Sequence, residues 1–142
     1  MMSTTEDSIL VFEYFTASGE KDKCIISEAE ALIFALLKDL ADCDVDLVIN
    51  KSYENVVNDY ENVNPILIDC DVIDWLEDNA ANFNKAIFIA AENNNNLYNI
   101  TKILEENNVK TYTSSAEACL KSSDKYETYE ALPNDVPQPR SF

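Results

Sequence analysis

Short apolar runs alternate along the chain with longer stretches in which apolar residues recur every three or four positions. The runs hold about five residues and are rich in β-branched types, which is typical of strands buried on both faces of a sheet. Because neither face of such a strand meets water, the polar alternation of a half-exposed strand is absent. The predicted strands cover residues 8–14, 45–50, 65–69, 86–91 and 109–113.

The stretches between these runs predict helices and loops. Ser27 and Glu30 have the spacing of a capping box, and leucine and isoleucine then recur with a helical period as far as Leu40. Asp71 is a predicted N-cap for a helix over 72–80. The remaining predictions are a polar loop over 16–23, a loop or irregular helix over 51–64, asparagine caps at 93–96 for a helix ending near 107, Ser114 as the cap of a helix to Leu120, and Ser122 or Ser123 as the cap of a last helix to Tyr129.

This alternation predicts the α/β class. A helix that follows a strand carries the chain back across the sheet, so successive strands run parallel and helices cover both faces. We expect a mainly parallel sheet of about five strands in residues 8–132, after a flexible N terminus at 1–7. Residues 133–142 contain three of the four prolines and predict an extended connector.

Length and charge narrow the class of protein. At 142 residues the chain has the size of one domain, and no apolar run approaches the roughly 18 residues that a membrane span needs. The chain carries 27 acidic and 10 basic residues, a formal charge of -17, which repels a phosphate backbone. We therefore expect neither a nucleic acid nor a membrane as partner.

Three residue types restrict the chemistry further. The single glycine, Gly19, excludes the Gly-rich phosphate loops, and the absence of histidine removes the usual nucleophile–histidine pairs and zinc sites. The four cysteines are scattered without a C-x-x-C pair. We expect a reducing, cytoplasmic location and no bound metal.

The polar residues that directly follow the predicted strands are the first candidates for a ligand site. In an open parallel sheet, ligands bind beyond the carboxyl ends of the strands. Glu13 stands out because it interrupts an apolar strand end, where a buried carboxylate needs a partner. The other candidates are 16–19, Asp69, Glu92, Ser114 and Ser115.

Several of these segments, in their order and spacing, resemble a known family. The segments are Val11-Phe12-Glu13-Tyr14 with 16–19, Ser27-Glu28-Ala29-Glu30-Ala31, Ala90-Ala91-Glu92-Asn93, Thr113-Ser114-Ser115, and Ser123-Asp124-Lys125-Tyr126 ahead of Val136-Pro137. Together they resemble archaeal ATP-grasp proteins, and in particular ligases of methanofuran biosynthesis. The resemblance covers nearly all of 8–132 and the part of such enzymes that precedes the ATP-grasp subdomains.

The resemblance implies a Rossmann-like, three-layer pre-ATP-grasp domain on the substrate side of a carboxylate–amine ligase. Such enzymes join their two small-molecule substrates through an acyl-phosphate, with ATP and Mg²⁺ held by subdomains for which this sequence has no counterpart. The chain would then not be catalytic alone and would act with an ATP-grasp domain in cis, with a homodimer left open. Ala91 and Ala29 depart from the proline and glycine that are frequent there.

The resemblance also implies roles for individual residues. Lys125 corresponds to a lysine that reaches ATP, with Ser123 beside it, and the substrate pocket would begin at Glu13, Ser18, Glu28 and Glu92. We expect no tightly bound cofactor, and only a weak anion site at the start of the last helix.

Two other readings remain open at this point. Asp69 ends the third strand as the phosphoacceptor of a receiver-type regulatory domain does, although the acidic pair and the lysine of receivers have no match. The chain is also compatible with an acidic α/β interaction module.

Overall fold

The computed structural model describes residues 7–139 and contains one sheet of five parallel strands. The strands are β1 (Ile9–Glu13), β2 (Val45–Asn50), β3 (Val63–Ile68), β4 (Lys85–Ile89) and β5 (Lys110–Thr111). Their order across the sheet is β3-β2-β1-β4-β5. The predicted α/β class and parallel sheet are confirmed.

Six α-helices lie among residues 7–139, together with three short 3₁₀ segments. The helices are α1 (Tyr14–Ser18), α2 (Lys23–Asp39), α3 (Val72–Asn79), α4 (Asn96–Glu106), α5 (Ala116–Ser122) and α6 (Lys125–Ala131). The 3₁₀ segments are Lys51–Val57, Ala80–Asn82 and Asn93–Asn95.

Two apolar clusters, one on each face of the sheet, form the core. On one face Val11, Leu47 and Ile49 pack against Ile33 and Leu37 of α2. The other cluster contains Leu10, Phe12, Val48 and Phe88 from the sheet, Val72 and Leu76 from α3, and Ile100 and Leu104 from α4. The three layers follow from the handedness of the crossovers, because a connection that moves one way along the sheet and one that moves the other way cover opposite faces.

The strand order tests the hypothesis of a receiver-type domain. In the order 3-2-1-4-5 the chain adds strands on one side of β1 and then, from β4, on the other side, as in dinucleotide-binding folds, whereas receivers have the order 2-1-3-4-5. Asp69 follows the edge strand β3, and its Oδ2 lies 2.8 Å from Lys51 Nζ in an exposed ion pair. The receiver reading is therefore wrong.

Several predicted boundaries are wrong at the starts of helices. α1 begins at Tyr14, the last residue of the first predicted strand, and its end at Ser18 lies within the predicted loop over 16–23. α2 begins at Lys23, because the Asp22 carboxylate accepts from the amides of Cys24 and Ile25; this N-cap lies five residues before the predicted cap, Ser27. Ser115 and not Ser114 caps α5, and Asp124 in place of Ser122 or Ser123 caps α6. Asp71 caps α3 as predicted, and β2 has its predicted bounds.

The remaining differences are smaller. Asn95 occupies the N-cap position of α4 without a capping side-chain bond, and β3 begins two residues before its predicted start. The predicted extended connector starts with a turn, since the Val136 amide donates to the Pro133 carbonyl and Gln138 Nε2 donates to the Tyr129 carbonyl. Residues 1–6 and 140–142 lie outside the described residues, and with them most of the predicted flexible N terminus and the end of the connector.

Candidate functional site

A cavity of about 390 Å³ opens at the carboxyl ends of β1 and β4, where the strand order reverses. The connection after β1 leads to α2 on one face of the sheet, while the connection after β4 leads to α4 on the other face. The two connections therefore diverge. Ligands of open α/β sheets bind at such a point. The lining residues are Glu13, Phe15, Ile25, Glu28, Ala29, Leu32, Ile89, Ala90, Ala91 and Asn93.

Glu13 forms the floor of this cavity and is only 2% exposed. Its Oε1 accepts from the Phe15 amide at 3.0 Å, and its Oε2 accepts from the Thr16 amide at 2.8 Å. These bonds make Glu13 the N-cap of α1 and supply the partner that a buried carboxylate requires. Glu13 therefore has a structural role, in addition to lining the cavity.

Glu28 lies on the cavity wall formed by α2, across from the strand ends. It belongs to an exposed flank of that helix with Ile25 and Leu32, whereas Ile26, Ala29 and Ile33 face the sheet. Within residues 7–139 no hydrogen bond or ion pair engages the Glu28 carboxylate. Its two oxygens are free to receive a donor from a bound molecule.

The walls are mainly apolar, and the charges are of one sign. Phe15, Ile25, Leu32 and Ile89 supply hydrocarbon surface around the two glutamates. Among residues 7–139, those that line the cavity include no lysine and no arginine. The electrostatic potential inside is therefore negative.

A second, shallower cavity of about 360 Å³ lies on the other side of α1 and is lined by Tyr14, Ser18, Lys21 and Asp71, among others. The Tyr14 hydroxyl donates to Asp71 Oδ2 at 3.0 Å, and Ser18 Oγ accepts from the Val72 amide at 3.1 Å. Burial, followed by the neighbouring Asp71 carboxylate, raises the pKa of Tyr14 above its usual value. These bonds attach α1 to the start of α3.

The fold thus brings together only part of the predicted pocket. Glu13 and Glu28 line the first cavity, and Ser18 lines the second. Glu92 lies exposed directly after Ala91, and neither cavity includes it.

Lys125 and Ser123 lie apart from both cavities, at the junction of α5 and α6. Both are exposed, and Ser123 Oγ donates to the Leu120 carbonyl at 2.7 Å. Asp124 Oδ1 accepts from the amides of Tyr126 and Glu127, which are the donors that an anion at this helix start would use. The residues present supply one cation beside a carboxylate.

Sequence reasoning missed α1 and with it Tyr14, Phe15 and Asp71 as site residues. The signal was present in the sequence: Glu13 is the N-cap, Gly19 is the glycine at the C-terminal end, and the five residues between them form the helix. This helix directly follows a strand and has only five residues, so it is too short for the spacing of apolar residues to reveal a helical period.

Two further findings bear on the class of site. No group of three or more residues that could hold a metal ion occurs within residues 7–139. Across the same range, every helix is too short or too polar to cross a membrane.

The sequence has relatives among curated proteins, although no family model matches it. It is 36% identical over 139 residues to tyramine–L-glutamate ligase of Methanocaldococcus fervens, covering 94% of this chain and 48% of that enzyme. The enzyme of the same name from Methanocaldococcus jannaschii is 34% identical over 141 residues, with 94% and 45% covered. The chain therefore spans about half the length of the curated relatives it matches.

A solved structure has the same fold. It is the crystal structure of a protein from Archaeoglobus fulgidus described as an ATP-grasp superfamily member, with a TM-score of 0.75 and 19% sequence identity. The similarity covers 94% of this chain and 41% of that one.

Proposed function

We propose that this chain, which resembles the N-terminal, pre-ATP-grasp domain of archaeal ATP-grasp ligases, is the substrate-side domain of an ATP-dependent carboxylate–amine ligase. The names of the two relatives specify an amine and an amino acid, tyramine and L-glutamate. We extend to this chain the corresponding classes, a primary amine and a carboxylic acid.

The observation that carries the proposal is the cavity between the ends of β1 and β4. Its volume of about 390 Å³ lies within the range of roughly 300–1,000 Å³ that is usual for small-molecule sites. It has apolar walls with a few polar groups, which is the usual composition of such sites. Glu13 sets its floor through the cap of α1, and Glu28 offers a free carboxylate.

The second cavity and the exposed residues complete the proposed substrate side. Ser18 lies across α1 from Glu13, and Glu92 follows the strand whose end borders the first cavity. We assign Ser18 and Glu92 to the rim, where they would meet parts of the substrates that extend out of the cavity.

ATP and Mg²⁺ belong to the complete ATP-grasp enzymes, where ATP would supply the phosphoryl group that the substrate carboxylate takes up, with ADP as the leaving group. The residues of this chain fit a nucleotide only in part. Lys125, with Ser123 beside it, could contact one phosphate, while the nearby amides of Tyr126 and Glu127 already donate to Asp124. The other contacts of a nucleotide site would then come from the ATP-grasp subdomains. The role of this domain is therefore to bind and position substrate.

A chimeric enzyme tests the proposal directly. The region of the M. fervens ligase that aligns with this chain is replaced by the 142-residue chain, and ADP release is followed with tyramine and L-glutamate. We expect turnover that requires both substrates, because the substrate-side domain would still position them against the rest of the relative. The ligase lacking its aligned region, and the 142-residue chain alone, should stay at background.

Two results would contradict the proposal. One is a chimera that folds, as shown by circular dichroism and a cooperative thermal transition, yet releases no ADP above background. The other is glutamate-dependent ATP turnover by the 142-residue chain alone. The first result would favour the alternative of a free-standing acidic regulatory or interaction domain.

A further inference from the structure

We infer that the cavity at the β1 and β4 ends binds the amine and not the acid, and that Glu28 holds the ammonium group. The inference rests on the proposed function and assigns one of its two substrate classes to this cavity. The ligand it specifies is a primary amine with an apolar, preferably aromatic, body.

The two glutamates of the cavity differ in how far their bonding capacity is already used. Each oxygen of Glu13 accepts a backbone amide of α1, so a donor from a ligand would share an oxygen that is already engaged. The carboxylate of Glu28 has no such partner among residues 7–139. A primary ammonium offers three donors, and a charge-assisted bond to a free carboxylate is the strongest contact available to it here.

The remaining surface suits the body of such an amine. Ile25 and Leu32 are 36% and 42% exposed on the flank of α2, and Phe15 and Ile89 face them from α1 and β4. A ring placed between these side chains would remove apolar surface from water on both sides. This contribution would select an amine with a hydrophobic body over a small one.

The acid does not match the same cavity. L-glutamate carries two carboxylates and one ammonium group and is a net anion, and the described residues that line the cavity provide no basic side chain to receive either carboxylate. Glu13 and Glu28 would repel both carboxylates, and the chain as a whole has a formal charge of -17. A cation is therefore the ligand that the charges favour.

Amide chemical shifts of the ¹⁵N-labelled 142-residue chain, titrated with four ligands, test the inference. The ligands are phenethylamine, 2-phenylethanol with the same ring but no charge, ethylamine with the charge but no ring, and L-glutamate. We expect phenethylamine to shift the amides of Phe15, Ala29, Ala90 and Ala91 at low millimolar concentration. The other three should bind at least about tenfold more weakly.

Glu28→Gln and Glu30→Gln form a matched pair of variants. Both variants remove one negative charge from α2, but only Glu28 lines the cavity. Glu28→Gln should weaken phenethylamine binding by about tenfold and leave 2-phenylethanol binding unchanged, since only the charged bond is lost. Glu30→Gln should bind phenethylamine as the wild type does.

Any of three results would overturn the inference: 2-phenylethanol binding within twofold of phenethylamine, equal effects of Glu28→Gln and Glu30→Gln, or shifts at these amides with L-glutamate and none with the amine. Failure to observe any binding would also overturn it. An active chimera together with one of these results would leave the substrate-side role intact and refute only the amine assignment.

Discussion

Gly19 is placed where backbone conformation and tertiary packing make the same demand. Its φ of +77° is left-handed, as is common directly after a helix, and its amide donates to the Phe15 carbonyl. A Cβ at this position would lie 2.7 Å from Nδ2 of Asn50, whose Oδ1 accepts from the Ser52 amide. Only glycine meets both conditions without displacing Asn50.

Gly19→Ala should therefore lower the free energy of unfolding by about 1–2 kcal/mol, the cost of placing an alanine in the left-handed region, and by more if Asn50 loses its bond. Urea denaturation of the wild type and the variant measures this difference. Lys21→Ala, at an exposed position two residues on, serves as the control. A loss below about 0.5 kcal/mol for Gly19→Ala would show that the turn relaxes easily.

Tyr14 predicts how stability depends on alkaline pH. Its pKa is raised in the folded protein, so the folded state holds the phenol proton to a higher pH than the unfolded chain does. The stabilising contribution is complete below the unfolded value near 10 and is lost as pH rises through the folded pKa. Loss of the proton also removes the donor to Asp71.

We expect Tm of the wild type to fall more steeply above pH 10 than that of Tyr14→Phe, which has no proton to lose. Thermal scans between pH 8 and about pH 11 measure the two slopes, and Tyr112→Phe at an exposed position provides a control. Parallel curves for wild type and Tyr14→Phe would contradict the assignment.

At the scale of elements, three side chains join the first three strands at their amino ends. Asp46 of β2 is 3% exposed, and its Oδ2 accepts from Ser8 Oγ at 2.6 Å while its Oδ1 accepts from Asn64 Nδ2 at 2.8 Å. Asp46 pairs in register with Leu10 and Asn64. A buried carboxylate with two neutral donors thus links β1, β2 and β3.

Asp46→Asn should destabilise the protein by about 1–2 kcal/mol, because the buried bonds with Ser8 and Asn64 would no longer involve a charged group, and a neutral hydrogen bond contributes less than one to a carboxylate. Chemical denaturation provides the measurement. The matched control is Asp44→Asn, which makes the same change at an exposed position two residues earlier. If the two variants lose equal stability, the link contributes nothing beyond the removal of charge.

At the scale of the whole molecule, the charge of -17 acts on stability. The ion pairs described within residues 7–139 are between exposed or half-exposed groups, so they offset little of the repulsion among the 27 acidic residues. Self-repulsion of this kind destabilises the compact state and is screened by salt.

Tm should therefore rise by a few degrees as NaCl increases from about 10 mM to about 200 mM, over which the Debye length falls from roughly 30 Å to below 8 Å. Differential scanning calorimetry measures this, and KCl should give the same curve because the effect depends on ionic strength alone. A Tm that falls with salt would mean that attractive pairs outweigh the net repulsion.

How much the sequence predicted differs between levels. The α/β class, the parallel sheet, the bounds of β2 and the cap of α3 at Asp71 are encoded by local patterns that tertiary contacts did not alter. Helix starts were less predictable, because several polar residues near each start are competent caps. At α6 the competitors were Ser122, Ser123 and Asp124, and the backbone geometry at Asp124 decided between them.

By itself the sequence determined the class of fold, the absence of glycine-rich phosphate loops, the acidic surface and the position of Glu13 at a strand end. The strand order, the reversal between β1 and β4, and the meeting of Glu13 with Glu28 in one cavity while Ser18 lies in another were decided only by the tertiary structure. The physical reason is that periodicity and capping act within a few residues, whereas the pairing of strands and the side of α1 on which a residue lies depend on contacts between distant segments.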